Sequence, residues 1–83
     1  MVNPITTIRH ELGLSRQKLC HAAGIRMDAL YLAEAGLINR PQNRMLAFLE
    51  QLDYDPDKVV CEYKDYRDSL RREVIAELAA RIR

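Results

Sequence analysis

The sequence predicts an all-α fold: a compact domain of four to five helices that ends in one long C-terminal helix. Three observations predict it. Apolar residues recur at spacings of three and four along most of the chain. Cap-then-proline pairs, Asn3-Pro4 and Asp55-Pro56, mark helix starts, and glycines at 13, 24 and 36 mark helix ends. From Asp57 to Arg83 there is neither glycine nor proline to interrupt a helix. The chain has 83 residues, room for a single core, and is 48% apolar and 30% charged, the composition of a soluble globular protein. No apolar run approaches the ~20 residues of a membrane span, and MVNPITTIRHEL lacks the basic-then-apolar pattern of a signal peptide. A cytoplasmic location is therefore expected.

Each element has its own justification. Asn3 caps the first helix and Pro4 occupies a position whose N–H has no partner in any helix. Ile5, Ile8 and Leu12 form its buried stripe, and Gly13 ends it. Ser15 caps a second helix, accepting from the N–H groups of Arg16 to Lys18. Leu19, Ala22 and Ala23 give that helix an apolar face, and Gly24 stands where a left-handed residue closes it. Ile25 packs the turn. Met27 to Ala35 fits a third helix, with Ala29, Leu30 and Ala33 inward and Gly36 closing it. Two helices of about two turns joined by a glycine-containing turn make a helix-turn-helix. Pro41 opens or precedes a fourth helix, whose buried face is Met45, Leu46, Phe48, Leu49 and Leu52, with Phe48 as core anchor. Asp53-Tyr54 ends it.

The stretch LSRQKLCHAAGIRMDALYLAEAG, residues 14–36, resembles the helix-turn-helix of the phage repressor and Cro-like (lambda-repressor-like) family of DNA-binding domains. The resemblance rests on LGLS at 12–15, Leu19, Ala23-Gly24-Ile25, Leu30, Glu34-x-Gly36 and Pro41, and extends loosely over residues 4–55. It implies that residues 1–55 form a DNA-binding domain; residues 56–83 follow as a C-terminal helix, read from its apolar stripe as a dimerisation element. It further implies that Arg9 and Glu34 pair as scaffold, tying the first helix to the recognition helix. Breaking such a pair would strand a charge at a cost of ~3–5 kcal/mol.

In the family's docking mode the second helix of the motif enters the major groove while the first crosses the backbone. The resemblance therefore assigns Arg26, Met27, Asp28, Tyr31 and Leu32 to the groove. Ser15 and Arg16, at a helix start, and Asn39, Arg40 and Arg44 (with Asn43) beyond Gly36, are assigned to phosphates. The groove set is unusual. The common base readers are Arg or Lys for guanine and Gln or Asn for adenine, and Met27, Asp28, Tyr31 and Leu32 include none. Asp28 suits cytosine, and Met27 or Leu32 a thymine methyl. Arg26 replaces the small polar residue that commonly caps this helix. Charge weakens the DNA reading without excluding it: the net is only +1, with six Lys/Arg against four Asp/Glu in residues 1–50 and seven against eight in 51–83.

The last segment is one helix of up to ~40 Å or two broken near Cys61–Lys64. Val59, Val60, Tyr63, Tyr66, Leu70, Val74, Leu78 and Ile82 run along it at spacings of three and four, with Ile75 and Ala79 broadening the stripe. Asp68–Arg72 and Glu77–Arg81 are i,i+4 ion-pair candidates. Such a helix overhangs a domain of ~12 Å radius of gyration, so the stripe needs cover. Glu73 and Glu77 break a strict heptad, which argues against a long parallel coiled coil. The expectation is a homodimer packed through Tyr63, Tyr66, Leu70, Val74, Leu78 and Ile82; folding back over its own domain is the other arrangement.

Cys20 and Cys61 lack metal-ligand spacing, and Cys20 reads as a small core residue. His10 and His21 lie on polar helix faces without partners. No nucleophile–base pair or phosphate loop points to an enzyme, and no cofactor, metal or small-molecule ligand is implied. Two functions follow. One is a homodimeric transcription regulator, most simply a repressor, acting on double-stranded DNA with a palindromic operator. The other is a protein-interaction module on the same fold, an antitoxin or an inhibitor of a regulator, using the apolar surface of Met27, Tyr31 and Leu32.

Overall fold

The computed structural model describes residues 2–82, and among them the fold is all-helical. In order the elements are α1 (Pro4–Glu11), α2 (Arg16–Ala23), α3 (Met27–Ala35), α4 (Asn43–Gln51) and α5 (Pro56–Ile82). The local signals act where the sequence places them. Asn3 caps α1 by accepting from the Ile5 N–H at 2.9 Å, and Ser15 caps α2 by accepting from Lys18 N–H at 3.2 Å. Gly24 and Gly36 close α2 and α3 in the left-handed region, at φ 70° and 75°. Arg26 precedes α3 without a side-chain cap, and Pro41 lies ahead of α4, which starts after Gln42.

The core is built from one face of every helix. Ile5 and Ile8 of α1, Leu19 and Cys20 of α2, Leu30 of α3, Met45, Leu46 and Leu49 of α4, and Val59 and Tyr63 of α5 form one buried cluster. Phe48 is half-buried at its edge rather than at its centre, Leu52 is exposed, and Ala22 faces outward. The volume expected of Phe48 is supplied instead by Tyr63, which α5 carries across α4. The Tyr63 hydroxyl is buried without a well-formed hydrogen bond, and burial pushes its pKa up despite the nearby Ile38 backbone and Arg67.

α5 is a single 27-residue helix. The break considered near Cys61–Lys64 is absent, and Asp55 accepts from the Asp57 N–H at 3.0 Å at its start. Arg83, the last residue of the expected span, lies outside the described residues. The first half of α5 belongs to the domain. Tyr63, assigned to a dimer face, is fully buried in its own chain, because the domain extends to this turn of the helix. Tyr66 and Leu70 are half-buried over Gly36: a Cβ there would lie 2.9 Å from Tyr66 Cε1 and 3.5 Å from Leu70 Cδ2. Beyond Leu70 every described residue is exposed, including Val74 (46%), Leu78 (49%) and Ile82 (85%). This overhang stretches the molecule to 48 × 23 × 20 Å with a radius of gyration of 14.1 Å, above the ~12 Å of a compact chain of this length. On its surface Glu77 and Arg81 pair at 2.9 Å, whereas Asp68 and Arg72 do not close.

His10 is not isolated, since its Nε2 lies 3.2 Å from Arg9 Nη2. Cys20 is buried, which raises its thiol pKa, with Glu34 and Asp28 adding to the rise; Cys61 is exposed on α5. No helix of the described residues is long and apolar enough to cross a membrane.

Candidate nucleic-acid interface

α2, a three-residue turn (Gly24–Arg26) and α3 form the helix-turn-helix. What holds α3 comes from outside the motif. The Asn3 amide, itself buried, donates to the Ala33 and Glu34 carbonyls at 2.8 and 2.9 Å. Gln42 Nε2 donates to the Ala29 carbonyl at 3.0 Å, and Arg67 Nε of α5 to the Gly36 carbonyl at 3.0 Å. The last-turn carbonyls that a helix leaves without partners are thereby satisfied by side chains from α1's cap and from α5. Sequence reading assigned Asn3 only its capping role and assigned Arg67 none.

Glu34 is the electrostatic centre. Its Oε1 accepts from Arg9 Nε at 2.7 Å, and the two side chains are only 7% and 10% exposed, so the expected scaffold pair is present. Arg9 Nη1 also donates to the Leu14 carbonyl at 3.2 Å, fixing the turn before α2. A second cation was not anticipated: Arg16 Nε reaches Glu34 Oε2, also at 2.7 Å. Burial alone would raise the Glu34 pKa, but hydrogen bonds from Arg16 and Arg9, with their charges, outweigh it and hold the carboxyl below its usual value. The same hydrogen bond raises the Arg16 pKa.

The outer face of α3 is open. Met27 (38%), Tyr31 (54%) and Leu32 (43%) are exposed, as is Asp28. The Arg16 guanidinium carbon sits 5.4 Å from the Tyr31 ring centre, a cation–π distance. Asp28 is not an isolated acid, since Arg26 Nε lies 3.4 Å from its Oδ1, with both side chains well exposed. Ser15 spends its hydroxyl on the α2 cap.

Among the residues assigned to phosphate, the structure separates free groups from engaged ones. Arg44 is no free clamp: its Nη1 donates to the Gly24 carbonyl at 2.9 Å and closes the end of α2. Asn39 accepts from Arg67 Nη1 at 3.2 Å, and Arg16 is tied to Glu34. Arg40 and Asn43 are exposed on the segment after α3. The surface therefore combines a flat apolar–aromatic strip, one pre-oriented guanidinium, and cations at both ends of α3. No protein-family model, curated protein or solved structure matches the chain.

Proposed function

We propose that the chain is a homodimeric, sequence-specific DNA-binding regulator, a repressor on a palindromic operator in the manner of the phage repressor and Cro-like domains it resembles. α3 lies in the major groove. The start of α2 and the segment carrying Arg40 meet the backbone on either side. The observation that carries this reading is the way α3 is presented. Its C-terminal end is held by Asn3 and Arg67 and its Ala29 carbonyl by Gln42, while its outer face is left uncovered between cations. A helix that only filled the core would need no such exposure.

The free end of α5 supports the dimeric form. Val74, Ile75, Leu78 and Ile82 are exposed along the overhang, none of them buried by the other described residues. A second copy seated there buries both stripes at once and places two α3 helices on one molecule, as half-sites ~34 Å apart require.

The test is selection from a random double-stranded DNA library at two salt concentrations. The reading expects an enriched inverted repeat with half-sites about one turn apart, and affinity that falls steeply with salt. Binding without enrichment that vanishes at moderate salt refutes it. Exposure of Met27, Tyr31, Leu32 and Leu37 as neighbouring apolar side chains favours one other reading, a protein-interaction module on the same fold. In that case a protein partner, and not DNA, covers this strip.

A further inference from the structure

The outer face of α3 carries no arginine, lysine, glutamine or asparagine, yet an arginine lies against it. Arg16 is the first residue of α2, and its side chain crosses to α3. Two contacts orient it. Glu34 Oε2 takes the Nε edge at 2.7 Å, and the Tyr31 ring supports the guanidinium with its centre 5.4 Å from Cζ. Glu34 is itself anchored, since Arg9 holds its other oxygen at 2.7 Å in a nearly buried pair. The side chain of Arg16 nevertheless remains 45% exposed. With Nε occupied, the free edge of the guanidinium carries its two Nη groups, and neither donates to another described residue.

A planar edge with two parallel donors matches two acceptor geometries, the O6/N7 pair of guanine and two oxygens of a phosphate. Phosphates are served adequately by mobile cations, and Arg40 stands exposed for that purpose, while Arg26, the other guanidinium beside α3, is paired with Asp28 at 3.4 Å. A guanidinium oriented by a carboxylate and supported by an aromatic ring has already lost the rotamer freedom that base reading would otherwise cost. We infer that Arg16, oriented by Glu34 and Tyr31, is the guanine reader of this surface, so that a specificity-determining residue lies on α2 rather than on α3. This rests on the DNA-binding reading.

The experiment combines library selection with modified operators. Wild type should enrich a guanine at a fixed position in each half-site. Replacing that guanine by 7-deazaguanine, which lacks the N7 acceptor but keeps O6, should weaken binding about 3- to 10-fold, roughly half of a bidentate contact. Arg16→Lys keeps the charge and loses the fork. It should lose the guanine preference and its sensitivity to 7-deazaguanine, with a larger fall in affinity for the enriched site than for random DNA at low salt. Tyr31→Ala, which removes the supporting ring, should reduce the guanine preference.

If Arg16→Lys keeps the wild-type preference, or if no enriched guanine is sensitive to 7-deazaguanine, Arg16 is not a base reader; the DNA-binding reading then stands without it. If the wild type enriches no sequence at all, both fall. Should Arg16→Lys fold poorly, the 7-deazaguanine scan on wild type still refutes the inference when every position is silent. When one position is sensitive, Arg16→Gln supplies the variant.

Discussion

Replacing Glu34 with glutamine removes one negative charge from between two guanidinium groups while keeping the side chain's size. The structure sets the expected cost. Arg9 is 10% exposed and Glu34 7%, so Arg9 would be left as a nearly buried cation without its counterion. Stranding such a charge costs about 3–5 kcal/mol. The glutamine oxygen still accepts one hydrogen bond, and Arg9 keeps its 3.2 Å bond to the Leu14 carbonyl, which together return about 1 kcal/mol. The net loss is about 3 kcal/mol. With an unfolding entropy of ~2.1 cal/mol/K per residue, this is a fall in Tm of roughly 15–20 °C. Urea unfolding and thermal melting at one fixed protein concentration measure it, because dimerisation would otherwise shift the midpoint. The paired variant Arg9→Met with Glu34→Leu removes both charges and should recover more than half of the loss. A cost below about 1 kcal/mol for Glu34→Gln would show that Arg9 is solvated and that the network behaves as a surface ion pair.

Three further outcomes are expected. Because the folded Glu34 carboxyl titrates below its unfolded value, the native state releases a proton that the unfolded chain retains near pH ~4.3. Its contribution is complete above about pH 5 and declines as pH falls through the folded pKa, so acid melting should be shallower in Glu34→Gln. Gly36→Ala should cost about 2–3 kcal/mol in urea unfolding, because φ is +75° and the new Cβ meets Tyr66 at 2.9 Å. Gly24→Ala, whose Cβ finds only Arg44 at 3.9 Å, should cost about 1 kcal/mol. Leu78→Glu, on the overhang of α5, should leave monomer stability within about 0.5 kcal/mol. It should also weaken self-association at least ~100-fold in sedimentation equilibrium, because a two-fold contact counts the lost apolar burial twice.

Much of the fold was legible because its signals are local. Asn3-Pro4, Ser15, Gly24, Gly36 and Asp55-Pro56 act on backbone groups a few positions away, and the structure uses each where it stands. The stripe of α5 was legible as a stripe, but its division was not. Spacing places Tyr63, Tyr66, Leu70 and Val74 along one row, while only the position of α3 and α4 decides that the first is core, the next two cover Gly36 and the last is free. The Arg9–Glu34 pair came from the family resemblance rather than from spacing. Contacts such as Arg67 to Gly36, Arg44 to Gly24 and Gln42 to Ala29 span 31, 20 and 13 positions. Long polar side chains of this kind look alike in sequence whether they face solvent or a carbonyl. For that reason Arg44 and Asn39 read as free surface groups when they are in fact engaged.

The anchoring of α3 has one more consequence. Asn3, Gln42 and Arg67 grip its backbone carbonyls, and carbonyls are the same whatever side chain stands on the outside of the helix. Leu32 makes no side-chain hydrogen bond and can be exchanged without loosening the helix, whereas Asp28 accepts from the Ala29 N–H at 3.0 Å and Met27 Sδ lies 3.9 Å from Cys20 Sγ. The chain thus has an interchangeable face on a fixed mount. Its lineage can try new surfaces one substitution at a time while each intermediate still folds, and a designer can graft a different set of outer residues onto α3 for the same reason.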